Sequence, residues 1–120
     1  MESSVERAVE RAVADGEAET VALLEELGHG VVQAASGEEA LRLLDQEPGV
    51  DLLISDHVMP HMTGAQLIAS ALRARPQLPV VLATGYAELP AALPFRAVRL
   101  AKPFDQAALA QATAEALTRH

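Results

Sequence analysis

The sequence has no cysteine and no tryptophan, and only one tyrosine and two phenylalanines. Without cysteine, disulfides and thiolate metal sites are excluded. With so few aromatics, any core must be assembled from Leu, Val, Ala and Ile. Basic residues are also scarce: 9 Lys and Arg face 17 Asp and Glu, a net charge of −8. Nucleic-acid binding needs a basic stripe, so no nucleic-acid partner is expected. No apolar run approaches the ~20 residues of a membrane span. The opening MESSVERAVE lacks the apolar stretch of a signal peptide. The expectation is a cytoplasmic protein with no membrane association. What is present is a 120-residue chain, half of it apolar, which by length is expected to form a single domain over residues 1–120.

Four short aliphatic runs bounded by turn residues read as buried strands. They are GVVQA near 30–34, VDLLIS at 50–55, LPVVLAT at 78–84 and AVRLA at 97–101. Helical patterns lie between them. Ser36 with Glu39 forms a capping-box signature, followed by Ala40, Leu41 and Leu44 on one face and a stop at Pro48-Gly49. Thr63 with Gln66 repeats it, with Leu67, Ile68, Ala71 and Leu72 on one face and a stop at Pro76. A last helix follows Asp105, carrying Leu109, Ala112, Ala116 and Leu117. Strands alternating with helices predict a parallel sheet covered on both faces, with chemistry beyond the carboxyl ends of the strands.

Three polar residues stand at such ends. Asp56 follows the second run, Thr84 closes the third and Lys102 follows the fourth. Each has an ordinary reading alone: a turn-forming aspartate, a β-branched strand residue, a solvated lysine. Together they suit phosphoryl chemistry. A carboxylate can act as nucleophile, an ammonium and a divalent cation can offset charge on the phosphoryl oxygens, and a hydroxyl can hydrogen-bond one of them. His57 and His61 in DHVMPH suggest zinc, but Pro60 makes the segment a loop rather than a helix face, and two solvated histidines are the simpler reading.

The strings DLLISDHVMPHMTG, LPVVLATGYAE and RLAKPF, in this order, resemble the receiver domains of bacterial two-component response regulators, and DHVMPHMTG…ATGYAE is similar to receivers associated with hybrid sensor histidine kinases. The resemblance covers about residues 17–118. It implies a flavodoxin-like (CheY-like) doubly wound parallel sheet of five strands with helices on both faces. It implies Asp56 as phosphoacceptor, Thr84 as switch hydroxyl and Lys102 as the site lysine, joined to Pro103 by a bond often cis in the family. Mg²⁺ would be bound by Asp56 and by the backbone carbonyl of Val58. The implied partner is a sensor histidine kinase or phosphotransfer protein. Such a domain is not an enzyme in the ordinary sense and catalyses only its own phosphorylation and dephosphorylation.

The resemblance falters at two places. Receivers open with an apolar strand ending in an acidic pair, whereas Val5, Val9 and Val13 recur every four residues beside Ala8 and Ala12, a helical period. If residues 1–16 are helical, the acidic-pair positions fall on Arg11 and Ala12, the sheet has four strands, and its uncovered edges favour a homodimer. The alternative is a weak first strand in VADGE, with Asp15 and Glu17 as substitute Mg²⁺ ligands; the next helix would then be about one turn short. Further on, GYAELPAALPFRAV carries Pro90 and Pro94 and is too short for a full helix. Arg99 occupies the position of the family's aromatic switch, and Tyr86 is the one aromatic that could replace it. The leading expectation is a phosphorylated receiver. Its competitor is a pseudo-receiver that binds proteins without phosphorylation. A phosphohydrolase is disfavoured because DHVMP supplies no second acid beside Asp56.

Overall fold

The protein is described by a computed structural model, which covers residues 11–15, 18–28, 30–47, 49–56, 62–85 and 97–118. In chain order these hold β1 (Arg11–Asp15), α1 (Ala18–Glu26), β2 (Gly30–Ala34), α2 (Gly37–Gln46), β3 (Leu52–Asp56), α3 (Gly64–Ala74), β4 (Val80–Thr84), β5 (Val98–Ala101) and α4 (Gln106–Thr118). The strands form one parallel sheet in the order β2-β1-β3-β4-β5. This is the doubly wound arrangement of flavodoxin-like folds.

The fully apolar runs become the central strands. All five residues of β3 and of β4 are buried, because both faces of a parallel sheet are covered. At the edge, β5 alternates buried Val98 and Leu100 with exposed Arg99 and Ala101. The alternation sorts the core into two clusters. On one face Ala14, Leu52, Ile54, Val81, Val98 and Leu100 meet Leu24 of α1 and Leu109, Ala112 and Ala116 of α4. On the other, Ala34, Leu53, Val80 and Leu82 meet Ala40 and Leu44 of α2 and Leu67, Ile68 and Ala71 of α3.

The caps largely follow the expected chemistry. Thr63 and Gln66 form a reciprocal box: Gln66 N donates to Thr63 Oγ1 at 3.1 Å and Thr63 N to Gln66 Oε1 at 2.9 Å. At α2 only half the box is present. Glu39 N donates to Ser36 Oγ at 3.0 Å, but the Glu39 carboxylate accepts from Ala35 N at 2.6 Å, one residue earlier than a box requires. Asp105 caps α4 by accepting from Ala108 N at 2.9 Å.

The expectation of a helical N-terminal segment is corrected over residues 11–15. They form the second strand in from the sheet's edge, with Ala12, Val13, Ala14 and Asp15 in register with Leu52, Leu53, Ile54 and Ser55. Residues 1–10 lie outside the described residues. A local period of four lost to a tertiary demand: β2 and β3 need a strand between them, and RAVAD supplies one short enough to fit. With β1 in place the sheet has five strands, so the argument for a homodimer from an incomplete sheet loses its premise.

Candidate functional site

The carboxyl ends of β1, β3, β4 and β5 lie side by side. Asp56 is the last residue of β3, not the first beyond it, and is paired in register with Ala83 of β4. Thr84 is the last residue of β4. Both are 7% exposed. Lys102 follows β5 directly, and its backbone N–H donates to Thr84 O at 2.8 Å, carrying the β4–β5 ladder one step beyond the strand. The Lys102–Pro103 bond is cis.

These backbone placements bring the side chains together. Lys102 Nζ lies 3.2 Å from Asp56 Oδ1, with the side chains 27% and 10% exposed. Removing two charges from water costs several kcal/mol per ion, so a nearly buried pair is weak evidence for a stabilising role. A charged pair held at the mouth of a parallel sheet is the usual arrangement of a chemical site.

Two further residues hold the Asp56 peptide in place. Ser55 is completely buried, and its Oγ donates to the Asp56 carbonyl at 2.9 Å. Gly64, the first residue of α3, packs directly on that carbonyl: a Cβ there would run into Asp56 O and come within 2.7 Å of Leu82 Cδ1. The start of α3 therefore lies directly against the end of β3, a closeness that only glycine permits. The role of Ser55 was missed from sequence. Its signal was a lone hydroxyl at the end of a run of aliphatics, one residue before the acid. Ala83, 1% exposed, and half-buried Gly85 keep the surroundings of Asp56 and Thr84 small.

Asp15 closes β1 and is in backbone register with Ser55, the neighbour of Asp56. The strand that carries it continues past Arg11 and Ala12, so those two sit at its opposite end rather than at the site. This corrects the placement of the acidic pair there. Val58, His57, His61, Glu17, Tyr86, Pro90 and Pro94 lie outside the described residues. Arg99 is exposed on β5, in register with Leu82.

Carboxylate oxygens suit Mg²⁺, which takes one or two protein carboxylates and keeps several waters. Asp15 and Asp56 end the adjacent strands β1 and β3. No group of three or more His, Cys, Asp or Glu that could hold a metal is found among the described residues. No described helix is long and apolar enough to cross a membrane.

Known proteins share this fold. Residues 16–114 match the family profile described as response regulator receiver domain. The chain is 42% identical over 94 residues to the transcriptional regulatory protein GlrR of Escherichia coli (strain K12), across 75% of this chain and 21% of that protein. It is 37% identical over 106 residues to the sensor kinase CckA of Brucella abortus (strain 2308), across 82% of this chain and 11% of that protein. It thus spans a minor part of the length of either relative. The crystal structure of a CheY-like response regulator receiver domain protein from Methanospirillum hungatei JF-1 superposes with a TM-score of 0.78 at 26% identity, over 92% of this chain and 94% of that one. A profile match across most of the residues, with relatives 37% and 42% identical over most of the chain and the same fold in a solved receiver domain, leads to one conclusion: the chain belongs to the response regulator receiver domain family of two-component phosphorelay systems.

Proposed function

We propose that Asp56 is the phosphoacceptor, taking a phosphoryl group from the phosphohistidine of a sensor histidine kinase or phosphotransfer protein. The observation that carries this reading is Lys102 Nζ at 3.2 Å from Asp56 Oδ1, beside the Thr84 terminus of β4. A carboxylate oxygen of Asp56 attacks phosphorus, the P–N bond breaks and its electron pair returns to the imidazole. Lys102 turns from the carboxylate to the new phosphoryl oxygens and offsets their charge. The Thr84 hydroxyl donates to one of them and so couples β4 to the modification. Asp56, Asp15 and the Val58 carbonyl would hold Mg²⁺, which when bound supplies further neutralisation of the phosphoryl charge.

The receiver family is not a class of enzymes acting on separate substrates. The chemistry proposed for this chain is limited to its own phosphorylation and dephosphorylation. The signal is a shift in population between two conformations, read by a downstream protein, and residues 1–120 form one receiver domain.

Intact-mass spectrometry after incubation with a small phosphodonor tests this, with and without Mg²⁺ and beside Asp56→Asn. The expected result is one added phosphoryl group, dependent on Mg²⁺ and lost in the variant. No gain under any donor or metal condition would leave the pseudo-receiver, a phosphorylation-independent binding module.

A further inference from the structure

At the opposite end of the sheet from Asp56, a cavity of roughly 330 Å³ lies between α2 and α3, lined by Leu41, Leu44, Asp45, Ala71, Ala74 and Arg75. That volume falls at the lower end of the range for small-molecule sites. Its floor is aliphatic, with Asp45 on the α2 side and Arg75 on the α3 side. Asp45 and Arg75 make no ion pair with each other among the described interactions.

The two charges are placed differently. Arg75 is the C-cap of α3, and its Nη2 donates to Val50 O at 2.7 Å, which fixes the guanidinium beside the start of β3. Its Nη1 is buried and has no hydrogen-bond partner among the described residues. A buried guanidinium N–H without an acceptor is costly, and such groups in folded proteins nearly always find one. Asp45 is exposed in the last turn of α2, a turn with no basic residue. A helix carboxyl end carries partial negative charge and favours a cation, so Asp45 adds to a local demand for positive charge. An anion alone would meet both Asp45 and the overall charge of −8. A cation alone would leave Arg75 Nη1 unpaired.

We infer that this cavity binds a small zwitterion with an aliphatic side chain, of the α-amino acid class. Its carboxylate accepts from Arg75, its ammonium sits at Asp45 and the carboxyl end of α2, and its side chain covers Leu41, Leu44, Ala71 and Ala74. The inference is independent of phosphorylation at Asp56, which lies at the other end of β3.

The test is a methyl-NMR titration of the full chain with three probes: L-leucine, 4-methylpentanoate, which lacks the ammonium, and 3-methylbutylamine, which lacks the carboxylate. Saturable shifts confined to the methyls of Leu41, Leu44, Ala71 and Ala74 are expected with leucine. Each single-charge probe should bind about tenfold more weakly, the loss of one charge-assisted contact. Arg75→Gln should lower leucine to the level of the amine, and Asp45→Asn, at an exposed position, to the level of the acid. Equal binding of the three probes, shifts that do not saturate, or leucine binding unchanged in Asp45→Asn would each overturn the proposal. So would closure of the cavity by an Asp45–Arg75 ion pair in solution.

Discussion

At the scale of the residue, the pair formed by Asp56 and Lys102 is under tension between burial and charge. Lys102→Met leaves the Asp56 carboxylate nearly buried without its cation, which should cost about 1–3 kcal/mol in urea unfolding. Asp56→Asn should remove most of that penalty, so the double variant is expected to be more stable than Lys102→Met alone. Equal and additive losses would mean that the two side chains do not interact in solution. Asp56, Thr84 and Lys102, the three candidate site residues, were legible as polar interruptions at the ends of apolar runs. Ser55 was placed in the strand VDLLIS, but its hydroxyl was given no role, because a small polar residue closing an aliphatic run carries no sign of its partner. Only the completed strand shows that it is buried and that its hydroxyl serves the neighbouring carbonyl.

At the scale of the element, legibility followed the strength of local chemistry. GVVQA was placed to the residue, and the aliphatic runs of β3, β4 and β5 to within two residues. Helices α2, α3 and α4 begin after their capping residues. Segment 11–15 failed this kind of reading because Ala12 and Ala14 have low strand propensity and the valines preceding them keep a helical spacing. Its neighbours in the sheet decide its conformation, and they are remote in sequence. The Thr63 box starts α3, whose first residue packs on the Asp56 carbonyl. Thr63→Ala should cost about 1 kcal/mol and lower the melting temperature by roughly 4 °C. A differential scan reads this directly, and no change would mean that the box is not formed in solution.

At the scale of the whole molecule, β1 separates β2 from β3 and contributes Ala14 to the core. A chain lacking residues 1–15 must either expose two strand edges inside the sheet or rejoin β2 to β3 in a new register. It is expected to show no cooperative urea transition by circular dichroism. A sigmoidal transition in that chain would revive the four-stranded sheet. The fold class was readable from the alternation of strands and helices, but the strand count was not, because it turned on this one ambiguous segment. The division of the apolar side chains into two clusters has a consequence for how such a chain varies over time. Leu44 and Ile68 answer to one set of neighbours, Leu24 and Leu109 to another, and the hydrogen-bonded backbone lies between them. Substitutions in one layer can accumulate and be compensated there without repacking the other. The α2–α3 layer, which holds the cavity, is thus free to diversify while α1 and α4 stay as they are.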